Sequence, residues 1–168
     1  ISDKEHALGS RFHKEWWSQM ARSQASGHSS DASARVLLAD DSAPMLYEAR
    51  QILEPEFHVV ETVENGEALL QAAAKVDPDI VILDISMPVL NGLEAARRLK
   101  REGSKARIVF LTVHEDWEFV EESFAAGAVG YVVKSRLATD LPVAVREALL
   151  GRTFVSAIIP STRPVRQP

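Results

Sequence analysis

The stretch Ile80-Val81-Ile82-Leu83-Asp84-Ile85-Ser86-Met87-Pro88 decides the fold. Four apolar residues, mostly β-branched, run directly into a carboxylate, and a proline closes the loop shortly afterwards. A continuous apolar run of that length reads as a strand buried on both faces, the pattern of a parallel sheet covered by helices. Asp84 then sits where the strand leaves the core, and in open α/β sheets that carboxyl edge is where ligands bind. Taken alone, an aspartate there serves as readily to cap a helix or begin a turn. The neighbouring strands decide between the two.

Working outward, strand and helix signals alternate. Arg35-Val36-Leu37-Leu38-Ala39 is a second buried strand, ending in Asp40-Asp41, and Ser42-Ala43-Pro44 opens a helix with proline in its first turn. Residues 57–62 read as a strand, and Asn65-Gly66 introduces a helix that stops at Asp77-Pro78. After the opening stretch, Asn91-Gly92 precedes a helix through residues 99–102. Arg107-Ile108-Val109-Phe110-Leu111 is a strand ending at Thr112, followed by a helix over 115–126 that Gly127 terminates. Residues 129–133 form the last strand, ending at Lys134, and a helix over 138–150 stops at Gly151. Five strand–helix repeats predict an α/β domain: one five-stranded parallel sheet with helices on both faces.

The flanks differ in character. Residues 1–34 read as an N-terminal extension: an amphipathic helix carrying Leu8, Phe12, Trp16, Trp17 and Met20, then a Ser/Gly-rich linker. That helix packs on its own domain, remains a disordered leader, or meets a partner or a second copy of the chain. The domain then covers 35–151, and residues 152–168, with three prolines and little periodicity, read as a C-terminal tail or linker. The chain begins at Ile1 rather than methionine, which suggests a fragment or a processed product.

Composition narrows the function classes. No cysteine is present among the 168 residues, which excludes disulfides, thiolate metal sites and cysteine nucleophiles and fits a cytoplasmic location. A net charge of −5 argues against nucleic acid or an anionic membrane as the partner of this chain. No apolar run reaches the length of a membrane span.

The residues that directly follow apolar strands are Asp40 and Asp41, Asp84, Thr112 and Lys134, and all are polar. In a parallel sheet these ends share one edge, so three carboxylates, a hydroxyl and an ammonium converge. Three clustered carboxylates repel one another unless a cation joins them. Magnesium, a hard ion that takes oxygen ligands and is often shared between carboxylates and a phosphate, is the natural cofactor, Mg2+. With it, an aspartate can act as a nucleophile toward phosphorus. Lys134 and the Thr112 hydroxyl could then stabilise the transferred group.

This ensemble resembles the receiver domain of two-component response regulators: the acidic pair Asp40-Asp41, Asp84 with Met87-Pro88 and Asn91-Gly92 behind it, Thr112, and Gly130-Tyr131-Val132-Val133-Lys134. The spacing and the Gly-Tyr-Val-Val-Lys-Ser ending look most like the subfamily with a helix-turn-helix output domain. The resemblance implies a flavodoxin-like, doubly wound sheet of order 2-1-3-4-5, with its switch point between the strands that carry Asp41 and Asp84. It implies that Asp84 accepts a phosphoryl group from a sensor histidine kinase. Asp41, Asp84 and the backbone carbonyl of Ser86 would bind magnesium, with Asp40 acting through water. Lys134 would contact the phosphoryl group, and Thr112 with Tyr131 would form the switch pair. Ser86 and His114 stand at positions that tune phosphate lifetime in this family.

So read, the chain is a phosphoacceptor signalling domain and not an enzyme, beyond its own phosphorylation and dephosphorylation. It would control a partner protein, a homodimer or a DNA-binding output domain that residues 152–168 are too short to form. The alternative is a phosphorylation-independent interaction module, and the complete acidic, hydroxyl and lysine set argues against it. A magnesium phosphohydrolase is disfavoured because Asp84-Ile85-Ser86 lacks a second acid for general acid work.

Overall fold

The computed structural model describes residues 33–159. The expected helix over 1–22 and most of its linker, like residues 160–168, lie outside the described residues. Strands β1 (Arg35–Ala39), β2 (His58–Val63), β3 (Ile80–Leu83), β4 (Arg107–Thr112), β5 (Ala128–Val133) and β6 (Phe154–Val155) alternate with helices α1 (Ala43–Leu53), α2 (Gly66–Val76), α3 (Gly92–Arg101), α4 (Trp117–Ala125) and α5 (Leu137–Leu149). The sheet is parallel throughout, in the order β2-β1-β3-β4-β5-β6. β2 therefore lies on one side of β1 and β3 on the other, which places the expected switch point between β1 and β3.

Strand alternation divides the core in two. Ile80 and Ile82 of β3 pack with Leu46 and Leu53 of α1 and with Leu141 and Val145 of α5. Val81 and Leu83 point the other way, into a cluster with Leu69 of α2, Leu99 of α3 and Val120 of α4. All four β3 residues are at most 1% exposed, as expected of a strand covered on both faces. Each such side chain contributes about 1.5–3 kcal/mol by leaving water. Helix starts follow their caps: Asn65 accepts from the Ala68 N–H at 2.8 Å and Asn91 from the Glu94 N–H at 3.0 Å. Among the described residues no helix is long and apolar enough to cross a membrane.

The five-stranded expectation needs one correction. The segment after Gly151, read as a tail, returns to the sheet as β6, where Gly130 pairs with Phe154 and Tyr131 with Val155. Phe154 packs against the α1–α5 core, whereas Val155 and the buried Ile159 pack on the opposite one. A two-residue strand has no periodicity to read, and the expected boundary at 151 accordingly misses it. α4 starts at Trp117 rather than 115, and a 3₁₀ turn (Lys134–Arg136) precedes α5.

Asp140, on the first turn of α5, is 6% exposed. It accepts from Arg136 Nε at 2.9 Å and from the Thr139 hydroxyl at 3.0 Å. Burial pushes this carboxyl up, but Arg136, Ser156 and Thr139 outweigh it and hold it below the usual carboxylate value. A carboxyl lowered on folding stabilises fully above its unfolded pKa and stops doing so as pH falls through the folded value. Asp140→Ala is expected to cost about 1–3 kcal/mol at neutral pH. The difference from wild type should shrink on acidification, as urea titrations across pH would measure.

Candidate phosphoacceptor site

Register brings the acids together. Ala39, the last residue of β1, pairs with Leu83, the last of β3, so the two strands run out side by side into Asp40 and Asp84. Main-chain bonds fix both: the Asp84 N–H donates to the Ala39 carbonyl at 3.0 Å, and the Asp40 N–H to Val63 at 3.1 Å. Both are buried, at 3% and 4% exposure, while Asp41 beside them is exposed.

Lys134, leaving β5, reaches across the edge. Its ammonium lies 2.6 Å from Asp40 Oδ2 and 2.9 Å from Asp84 Oδ2. At Asp84 this is an aligned hydrogen bond; the buried Oδ2 of Asp40 has no aligned donor, and the ion pair is its contact. Burial raises the Asp40 carboxyl, a net rise despite Lys134 and the Ser42 N–H, which donates to Oδ1 at 2.9 Å. For Lys134, burial works against the charge, yet its interactions with Asp40 and Asp84 prevail and its pKa is raised.

Oxygens of Asp40, Asp41 and Asp84 come within 4.8 Å of one another. Three carboxylates stand against one ammonium, so the edge keeps excess negative charge. Its donors are all oxygen. The set suits a hard divalent cation, which takes oxygen ligands and keeps waters.

The other expected residues close the rim. Thr112 ends β4 fully buried, and its Oγ1 accepts from the His114 N–H at 3.4 Å. Tyr131 is also fully buried, and its hydroxyl donates to the His114 carbonyl at 2.9 Å. Burial, then the charges of Asp116 and Asp84, push this phenol well above its ordinary value. Ser86 Oγ meets His114 Nε2 at 3.0 Å, and the imidazole stacks on Phe119 with ring centroids 4.0 Å apart. The Ser86 N–H turns back to Asp84 Oδ1 at 3.4 Å. Every residue expected at the site therefore lies at this edge, and His114 ties the loop after β3 to Thr112 and Tyr131.

Comparison with known proteins identifies the family and agrees with the fold. The family model for the response regulator receiver domain matches residues 36–146. The nitrate/nitrite response regulator protein NarL of Escherichia coli (strain K12) is 34% identical over 125 residues, covering 73% of this chain and 58% of NarL. The transcriptional regulatory protein DegU of Brevibacillus brevis is 32% identical over 123 residues, covering 72% of this chain and 52% of DegU. This chain thus spans little more than half the length of these curated relatives. Among solved structures, a two-component response regulator of the LuxR family from Aurantimonas sp. SI85-9A1 superposes with a TM-score of 0.73 at 32% identity, over 76% of this chain and 93% of that one. The chain belongs to the response regulator receiver family, the signalling domains of two-component systems that work through phosphorylation.

Sequence reasoning missed Phe119, the ring beneath His114, and Ser156, whose hydroxyl accepts from the Val133 N–H at 3.1 Å. Phe119 sits within an ordinary helical pattern, and Ser156 lies in the supposed tail. Neither carries a motif.

Proposed function

We propose that Asp84 accepts a phosphoryl group from the phosphohistidine of a sensor kinase, with Mg2+ as cofactor, and that the acylphosphate biases the Thr112–Tyr131 rim. The observation that carries this reading is the Lys134 ammonium held by both Asp40 and Asp84 at 2.6 and 2.9 Å. It presets a cation where phosphoryl oxygens would arrive.

In the transfer, an Asp84 oxygen attacks phosphorus, the P–O bond forms as the P–N bond to histidine breaks, and the imidazole departs with the electron pair. Asp41, Asp84 and the Ser86 carbonyl would hold the metal directly, with Asp40 behind a water. When bound, the ion neutralises charge on the carboxylates and the phosphoryl group. Lys134 exchanges its contact with Asp84 for one with a phosphoryl oxygen, and it keeps Asp40. The Thr112 hydroxyl donates to a second oxygen, which shifts the His114 backbone that it shares with Tyr131. Ser86 and His114 flank the path of hydrolytic water, and their mutual bond sets the phosphate lifetime.

The name of DegU describes a transcriptional regulatory protein and that of NarL a response regulator, so we assign the output to a DNA-binding domain or a protein partner, with homodimerisation as one means of control. Intact mass of the full chain after incubation with acetyl phosphate tests the reading. One added phosphate is expected with magnesium and none with excess chelator. No added mass under either condition would overturn it in favour of a phosphorylation-independent interaction module.

A further inference from the structure

We propose that Ser156, ten residues beyond the family match, is a positioning residue for Lys134 and couples the segment 154–159 to the phosphoacceptor site. The proposal rests on the reading of Asp84 as phosphoacceptor, and adds to it a residue that reaches the site only through β5.

In a parallel strand the N–H and C=O of one residue point to the same neighbour, and residues two apart share that side. The Tyr131 carbonyl and the Val133 N–H both face β6, and both end on Ser156. Its N–H donates to the Tyr131 carbonyl at 2.9 Å, and its Oγ accepts from the Val133 N–H at 3.1 Å. β6 itself stops at Val155, so without this hydroxyl the last N–H of β5 would be buried unpaired. Ser156 is 1% exposed, and its carbonyl accepts from the Ile159 N–H at 3.0 Å, closing the segment into a turn.

Lys134 follows Val133 directly, and it is braced from its other side as well. Arg136, two residues on, donates to Asp140 at 2.9 Å. Ser156 also helps Arg136 and Thr139 hold the Asp140 carboxyl below its usual value, against the effect of burial. One buried serine thus ties the residue before the lysine to the same stretch of chain that holds the carbonyl of Tyr131. The lysine side chain is long, so its reach to Asp40 and Asp84 depends on where β5 delivers its Cα. Misplacement by about 1 Å at a reacting centre costs on the order of a hundredfold. Coupling is also reciprocal: if the docked segment favours a phosphoryl group at Asp84, a phosphoryl group must favour docking by the same factor.

Two measurements on the full chain test this. Ser156→Ala is expected to slow labelling of Asp84 by acetyl phosphate about tenfold per folded molecule, and Ser156→Thr, which keeps the hydroxyl, to recover most of the rate. In wild type, magnesium with beryllofluoride is expected to slow hydrogen exchange at the Val133 and Ser156 amides several-fold. This arm needs no variant, so a poorly folding Ser156→Ala would not decide the matter. Unchanged labelling in Ser156→Ala would overturn the proposal, as would unchanged exchange at Val133 and Ser156 while the Ser86 amide becomes protected; either result leaves Asp84 as phosphoacceptor. Wild type that takes up no phosphate at all would overturn both readings together.

Discussion

Asp84→Asn is expected to take up no phosphate from acetyl phosphate or from a phosphorylated kinase, with magnesium present, where wild type takes up one. The amide keeps the size of the carboxyl and an oxygen able to accept the Ser86 N–H, so the loop after β3 keeps its path. What it loses is the anionic nucleophile, and an amide nitrogen does not replace it. The half-buried Lys134 keeps Asp40 at 2.6 Å as its counter-ion, so the variant should stay folded. Removing one of three neighbouring negative charges offsets part of the lost bond to Lys134. The net change in unfolding free energy is then within about 1 kcal/mol. Intact mass and peptide mapping separate the outcomes: phosphate found on any other residue of Asp84→Asn would refute the assignment of the acceptor.

Much of this site is legible in the chain because it is written at strand ends. Ile80–Leu83 and Arg35–Ala39 are apolar to their last residue, so Asp84 and Asp40 mark where each strand leaves the core, and parallel order places them together. Thr112 and Lys134 follow by the same rule on β4 and β5. Long-range partner choice is not legible in that way. Nothing local in Lys134 says that it bridges two aspartates, one of them more than ninety residues earlier, or that the Tyr131 hydroxyl ends on the His114 carbonyl. The bond between Ser86 and His114 joins two residues singled out separately, and only the packing of two loops makes them a pair. β6 is invisible for a different reason. Its hold on the domain comes from a short pairing with β5, from Phe154, Val155 and Ile159 filling gaps in cores that other elements define, and from the N–H and hydroxyl of one serine. A segment stabilised wholly by tertiary contacts leaves no periodic trace.

Gly92→Ala is expected to damage both folding and phosphorylation, for a reason specific to the loop that carries Asp84. A Cβ on Gly92 would lie 1.9 Å from the Asp84 carbonyl oxygen, 2.8 Å from its carbon and 3.1 Å from Ile85 Cα. These are backbone atoms, so no rotamer change relieves the overlap. Either α3 retreats, breaking the 2.8 Å bond from the Gly92 N–H to the Ile85 carbonyl, or the backbone of Asp84 moves. Overpacking of this kind costs typically 1–3 kcal/mol, and backbone-to-backbone overlap this close argues for about 3 or more. Moving Asp84 by about 1 Å should also slow labelling by on the order of a hundredfold. Gly66→Ala supplies the comparison, because its Cβ would lie 2.2 Å from the Leu90 carbonyl oxygen, on the same loop but well past the acid. It should destabilise to a similar degree while slowing labelling less. Gly103→Ala completes the series: nothing lies within 4 Å, and its φ of +81° adds only the backbone cost of a side chain in the left-handed region, about 1–2 kcal/mol. If urea unfolding ranks the three as expected but labelling per folded molecule falls equally in all, the damage is global and not carried through the Asp84 backbone. A selective loss in Gly92→Ala would locate the sensitivity at the contact between the start of α3 and the acceptor.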